Sequence, residues 1–358
     1  MKKILNNIIS LILIEGLILF VLVIQTTLTV ILLRYSLTVS NTAQPYLGSS
    51  LVLANECLKY SMIIVILLFQ QGLSVHKSIR IYIDEVVRKP KETLLLGVPA
   101  LLYTVQNNLL IVALKNLDAA TYQVTYQLKI LTTAVFSVIL LNKKLTARQW
   151  ISLVLLTFGV ALVQLPSHET IQQVIVPGKL PPENVPSVIK AGGIFVQDHF
   201  VGLVAVLISC FSSGFAGVFY EKQLKASAQP SIILRNLQLG VFSVLLAALA
   251  VIQQDFHIVR EKGLFYGFTP LVWTIVVIQA IGGLVVAATI KYADNILKGF
   301  ATSISILLSS MLSCLVLDDL RPSGFFLPGT ILVLSSTFLY SYQSKMNFSQ
   351  TEKQKLLG

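Results

Sequence analysis

Ten apolar runs divide this chain, each close to the roughly 20 residues that a helix needs to cross a bilayer. They cover approximately 11–33, 48–70, 94–115, 119–141, 149–165, 200–220, 231–252, 270–290, 296–317 and 324–343. Runs of this length predict membrane-spanning helices, because a helix satisfies every backbone polar group within its own segment. Hydrophobic residues make up 55% of the chain and charged residues 12%. An ordinary soluble domain, about a quarter charged, is thereby excluded. The expected fold class is an all-α membrane protein of ten transmembrane helices, forming one polytopic domain over residues 1–358. The first run is too long for a secretory signal and has no small-residue cleavage site, so it reads as an uncleaved first span.

The net charge of +11 is not a nucleic-acid signal, because the basic residues follow the loops. An even number of spans puts both termini on one side. With the termini in the cytosol, 17 Lys and Arg fall in cytosolic segments and seven on the opposite face. The positive-inside rule therefore predicts that orientation. Cys57, Cys210 and Cys314 all fall inside spans, so none is placed for a loop disulfide. His76, His168, His199 and His257 all fall in loops, and no span carries a metal-ligand or catalytic carboxylate cluster. Asp318-Asp319 is the nearest candidate and reads more simply as a loop turn. Neither an enzyme nor a cofactor or metal is expected.

The segment 166–199, with PGKLPPENVPS, is the longest connection between spans and separates five from five. On this division repeat one covers about 11–165, repeat two about 200–343, and a cytosolic tail 344–358. A pattern recurs before the fourth span of each half. Leu114-Lys115-Asn116-Leu117-Asp118 matches Ile290-Lys291-Tyr292-Ala293-Asp294, and each is followed by a lysine, Lys129 or Lys298. An odd number of spans per half makes the halves inverted relative to each other. Inverted repeats with a polar site at the midplane are the usual plan of secondary transporters and imply alternating access.

Lys129 is the residue that most needs an explanation. It sits in AATYQVTYQLKILTTAVFSVILL (119–141), with no other charge for ten residues on either side. A lysine near the bilayer centre costs about 2.5–3.5 kcal/mol and is kept where it faces a watery cavity and meets an anion. Tyr122, Tyr126 and Lys129 are spaced i, i+4, i+7 and share a helical face, flanked by Gln123 and Gln127. Two phenol rings and an ammonium suit a ligand with an aromatic base and a phosphate; the alternative is a helix–helix face around a buried ion pair. Tyr103, Gln106, Asn107 and Asn108 lie in span three, where the amides either tie helices together or read polar edges of a base or sugar. In span nine Lys298, Thr302, Ser305 and Ser309 follow i, i+4, i+7, i+11, which reads as a second anion contact or as a lysine snorkelling to the cytosolic interface. Span six has Ser209, Ser213 and Tyr220 on one face, and span seven opens with Arg235-Asn236-Leu237-Gln238. Gly214, Gly217 and Gly282-Gly283 mark close helix packing. Glu56 and Lys59 in span two stand one turn apart, as a structural pair or as a gating or coupling pair.

DAATYQVTYQLKI (118–130), VPALLYTVQNN (98–108), SSGFAGVFYEK (212–222), RNLQLG (235–240) and KYADNILKGFATS (291–303) closely resemble the nucleotide-sugar transporters of the Golgi. The branch is that of the CMP-sialic acid, UDP-galactose and UDP-N-acetylglucosamine carriers, and the similarity runs from about Gln25 to Tyr342. The resemblance implies the ten-span drug/metabolite-transporter fold with both termini cytosolic. It implies exchange of a cytosolic nucleotide sugar for lumenal nucleoside monophosphate. It also implies that Tyr103, Gln106, Asn107, Tyr122, Lys129, Asn236 and Lys298 lie at the substrate cavity, with the two lysines on the phosphates. Gly240 stands where the CMP-sialic acid members have an aromatic. QTTLTVILLRYS (25–36) and LDDLRPSGFFLPG (317–329) look most like UDP-N-acetylglucosamine carriers. Met1–Ile24 and the PGKLPPENVPS loop depart from the pattern.

The resulting expectation is a Golgi antiporter that imports UDP-N-acetylglucosamine, UDP-galactose or both and exports UMP. Lys129, Tyr122, Tyr126, Tyr103, Gln106, Asn107, Asn236, Lys298, Ser213 and Thr302 would form its binding site. The runner-up is a carrier of another nucleotide sugar, or another anionic-metabolite exchanger of the same fold. The expected partners are the UDP-sugar, UMP and the lipid bilayer. Pairing of two copies as a homodimer stays open.

Overall fold

The computed structural model describes residues 2–38, 46–117, 119–165, 198–226, 231–317 and 323–357. In chain order its elements are α1 (Lys2–Thr38), α2 (Gly48–Gln70), α3 (Val75–Tyr82) running into a π turn at Ile83–Val87, and α4 (Pro90–Asn116). Then come α5 (Ala119–Tyr126), α6 (Leu128–Leu141), α7 (Ala147–Gln164) and α8 (His199–Lys225). Last are α9 (Ile232–Gln254), α10 (Phe256–Lys262), α11 (Pro270–Tyr292), α12 (Asn295–Leu312) with a π turn at Ser313–Leu317, and α13 (Phe326–Leu357). Among the described residues there is no strand.

The protein is an all-α, multi-pass membrane protein. Among the described residues nine helical stretches are long and apolar enough to cross a membrane, and Phe326–Tyr342 is a shorter apolar one. Each falls on one of the ten expected runs. Large apolar side chains stay exposed along these helices, among them Phe20, Phe69, Phe158, Phe200 and Phe338. In water such patches would drive association. In lipid they are the ordinary outer surface. Asp118, Asp318, Asp319 and the loop residues 166–197 lie outside the described residues.

The helices sort into two compact units, residues 1–105 with 219–301, and residues 106–218 with 302–358. The boundaries fall inside α4, α8 and α12 rather than in loops.

In the first unit α1 packs along α11, and α2 packs against α9 and α11. Leu51, Val272, Ile275 and Val276 form one buried cluster, and Ile63, Leu67, Val86 and Leu237 another. The Gln25 amide donates to Ile278 O at 3.2 Å, and a Cβ on Gly282 would sit 2.0 Å from that amide nitrogen. Gly282 is thus a packing glycine, as its sequence context suggests. The π turn after α3 exposes carbonyls that helix geometry does not satisfy. Gln238 Nε2 takes the Glu85 carbonyl at 2.7 Å, and Thr93 Oγ1 takes the Val86 carbonyl at 2.9 Å.

In the second unit α7 lies along α13. A Cβ on Gly329 would meet the Gly159 carbonyl at 2.9 Å, so the pair lets these backbones touch. α6 ends on Asn142 in the left-handed region, φ 52°, and α7 opens with a capping box between Thr146 and Gln149. Ala113, Leu117, Ala205 and Val206 bind the end of α4 to α8, with Tyr122 of α5 packed on them.

The fourth run is not one continuous helix. α5 stops at Tyr126, Gln127 forms a turn, and α6 resumes at Leu128. The Gln127 amide donates to Val124 O at 3.2 Å, and the Ile130 amide to Gln127 O at 3.0 Å, each three residues back instead of four. The break lies two residues before Lys129.

Candidate functional site

In the second unit the residues singled out on span four form one compact arrangement. The Lys129 ammonium stands over the Tyr126 ring, 4.0 Å from its centroid. Tyr126 stacks on Tyr122, with centroids 5.8 Å apart and planes within 9° of parallel. The spacing i, i+4, i+7 produces this because the three side chains rise in succession along one face. Gln106 of α4 donates its Nε2 to the Tyr126 hydroxyl at 3.1 Å, and Ser209 of α8 donates to the Gln106 carbonyl at 3.4 Å. The side-chain carbonyl oxygens of Gln106 and Gln123 are buried with no hydrogen-bond partner among the described residues.

The aromatic contact offsets much of the cost of burying Lys129 but supplies no counter-charge. A desolvated cation–π contact contributes about 2 kcal/mol or more, against about 2.5–3.5 kcal/mol for a lysine at this depth. Among the described residues no carboxylate pairs with it. The buried ion pair that would have made this face purely structural is therefore not what the described residues form. What remains is a cation on an aromatic platform with unused acceptors nearby. Such a set can hold an anion that carries a ring and N–H donors.

Other expected residues are placed differently. Gln127 is buried and donates to Gln164 of α7 at 2.8 Å, so it joins helices and does not flank the stack. Asn107 and Asn108 are exposed while Gln106 is buried, because consecutive helical residues point about 100° apart. Ser213 and Thr302 are half-buried; Ser305 and Ser309 donate to carbonyls three residues back on their own helix.

The first unit holds the remaining candidates. Asn236 is buried, donates to Ile232 O at 2.9 Å and accepts from the Tyr220 hydroxyl at 3.3 Å. Tyr103 is half-buried on α4. Lys298 lies in the first turn of α12, half-buried. Asp294 caps that helix, accepting the Leu297 amide at 2.7 Å. The aspartate before span nine thus has a local meaning as an N-cap. Glu56 and Lys59 form an ion pair, and a Cβ on Gly283 would sit 2.7 Å from Lys59 Cδ.

Three residues have roles that the sequence alone does not assign. Glu221 is fully buried at the end of α8, accepts the Asn295 amide at 3.0 Å and pairs with Lys225 at 2.8 Å. It secures the start of the helix that carries Lys298. Arg235 is buried and pairs with Glu92 at 2.8 Å. Cys210 is buried against the break in span four. A charge inside an apolar run was the available signal for Glu221 and Arg235. For Cys210 the sequence offers none.

The family model described as "Nucleotide-sugar transporter" matches residues 12–341. The UDP-N-acetylglucosamine transporter of Homo sapiens is 49% identical over 325 residues, covering 91% of this chain and 94% of that protein. The UDP-N-acetylglucosamine/UDP-N-acetylgalactosamine transporter nstp-4 of Caenorhabditis elegans is 44% identical, covering 91% and 93%. The UDP-galactose translocator of Bos taurus is 44% identical, covering 90% and 76%. A protein crystal structure of 16% sequence identity superposes with a TM-score of 0.59 over 91% of this chain and 98% of that one, which is a likeness of fold.

Proposed function

This chain belongs to the nucleotide-sugar transporter family, and from that premise we propose that it imports UDP-N-acetylglucosamine, UDP-galactose or both into the Golgi lumen in exchange for UMP. The family is one of transporters, so the side chains have to bind, select and release, with no bond made or broken. The observation that carries the proposal is the ammonium of Lys129 on the Tyr122–Tyr126 stack, with no carboxylate partner among the described residues. Relatives that bear the names of UDP-sugar transporters support the choice of nucleotide.

In this reading Lys129 holds phosphate and the tyrosines meet uracil. The orphan carbonyls of Gln106 and Gln123 accept N–H or O–H groups of the ligand, which relieves a cost of about 1–3 kcal/mol each. By the sequence argument Lys298 is the second phosphate contact. Tyr103, Asn107, Asn236, Ser213 and Thr302 complete the polar lining, and Glu56–Lys59 serves gating or coupling. UMP keeps the base and one phosphate, so it uses the same contacts on the return. Both termini face the cytosol, as the basic loops require, and the two five-span repeats exchange access as inverted halves.

The test is reconstitution. Proteoliposomes preloaded with UMP are offered labelled UDP-N-acetylglucosamine, UDP-galactose and CMP-sialic acid. Uptake of a UDP-sugar that depends on internal UMP is expected. Uptake of none of them, or uptake indifferent to internal UMP, overturns the antiporter reading.

A further inference from the structure

The break in span four is held from α8 by two hydrogen bonds that run in opposite directions. At Gln127 the chain tightens, and the Ile130 amide turns to Gln127 O instead of Tyr126 O. The Tyr126 carbonyl accepts the Cys210 thiol instead, at 3.5 Å, and the Thr125 carbonyl lies 3.6 Å from the same sulfur. One turn further along, the Thr132 hydroxyl donates to the Cys210 carbonyl at 2.8 Å, with the Lys129 carbonyl 3.1 Å from the same oxygen. Thr133 also donates to Lys129 O, at 2.7 Å. The residues bracketed by this clasp are Tyr126 and Lys129.

Two further observations show that the contact is close and specific. Cys210 is fully buried against these carbonyls. One turn along α8, a Cβ on Gly214 would lie 2.7 Å from Thr132 Oγ1 and 2.9 Å from backbone atoms of Thr132 and Thr133. A thiol is a weak donor, yet it is small enough to sit between the two backbones at this distance.

We propose that Cys210 and Thr132 are positioning residues for nucleotide-sugar binding. They fix the turn at Gln127, and through it the height and angle of the Lys129 ammonium over the Tyr126 ring. Neither touches the substrate. The proposal rests on the assignment of Lys129 and Tyr126 to the substrate given above, and adds what holds those two groups in place. Irregular backbone at membrane depth is tolerated where it is buried in protein and its polar groups are re-satisfied. Here the re-satisfying partner is a neighbouring helix of the same unit, so movement of α8 against α5 and α6 reaches the binding groups directly.

The test uses the full-length protein in proteoliposomes, with Cys210→Ala, Cys210→Ser, Thr132→Val, Thr132→Ser and Lys129→Ala. For each, KM and Vmax of UDP-sugar uptake are measured per reconstituted molecule, together with backbone hydrogen exchange over residues 122–133. Cys210→Ala and Thr132→Val are expected to raise KM about tenfold, the size of a displaced rather than deleted binding group, with Vmax little changed. Both should speed exchange over 122–133. The hydroxyl-bearing Cys210→Ser and Thr132→Ser should recover most of the KM and the protection. Loss of Vmax or yield at unchanged KM would reveal a merely structural role and overturn the proposal. A transport defect in Lys129→Ala beside wild-type KM in Cys210→Ala and Thr132→Val overturns this proposal alone. Normal uptake by Lys129→Ala overturns the site and the positioning role together.

Discussion

In the proposed site Lys129 serves transport with little or no gain to the fold, and the two effects can be separated. Its ammonium is offset by one aromatic face, about 2 kcal/mol or more, against about 2.5–3.5 kcal/mol for its depth in the membrane. Lys129→Ala is therefore expected to abolish exchange while insertion is retained and thermal stability is equal to or above wild type. A melting curve and an uptake assay on one preparation check both directions, and a large drop in melting temperature would contradict the energetics. Tyr126→Phe keeps the ring and loses the hydroxyl that Gln106 meets at 3.1 Å. One neutral hydrogen bond contributes about 1 kcal/mol, so KM should rise roughly fivefold. The larger Tyr126→Leu effect, from loss of stack and cation–π contact together, distinguishes ring from hydroxyl. Much at this scale was readable in the sequence: a lone lysine following two tyrosines at i, i+4, i+7 has few uses. The orphan carbonyls of Gln106 and Gln123 were not readable, since which amide points inward depends on the neighbours of α4 and α5.

At the scale of elements, helix ends matter more than helix middles. The end of α8 and the start of α12 are joined by the buried carboxylate of Glu221, which takes the Asn295 amide and the Lys225 ammonium. Glu221→Ala leaves the Asn295 amide unmet, while Lys225 keeps the Ala293 carbonyl at 2.8 Å, and about 1–3 kcal/mol of stability should be lost. Glu221→Gln keeps an acceptor and should lose less. Thermal unfolding in detergent measures the order of the two, and equal losses would rule out the capping role. The apolar runs located these elements to within a few residues because hydropathy over 20 positions is a strong signal. The interruption at Gln127 escaped because Tyr-Gln-Leu-Lys contains neither proline nor glycine. Its cause lies on another helix, at Cys210, 84 residues away from Tyr126 in sequence. Glu221 was hidden for the same reason, as its partner amide is 74 residues further on.

For the whole molecule, the basic loops predict that epitopes at both termini react with antibody when only the outer membrane of the cell is opened. An epitope placed within 166–197 should need the membrane that holds the protein, the Golgi membrane in the proposed reading, opened as well. Reactivity of either terminus only after the second step would reverse the orientation. The division of the chain into two units adds a constraint of a different kind, because the boundaries run through α4, α8 and α12. Deleting one residue between Tyr103 and Gln106 would turn everything beyond it by about 100° and shift it by about 1.5 Å. Gln106 and Tyr126 both lie beyond the deletion and would keep their hydrogen bond, while the register of Gln106 against Tyr103 along α4 would be lost. Length variation among descendants of this sequence should therefore collect in the links between helices, while these three helices keep their residue count even where their side chains drift.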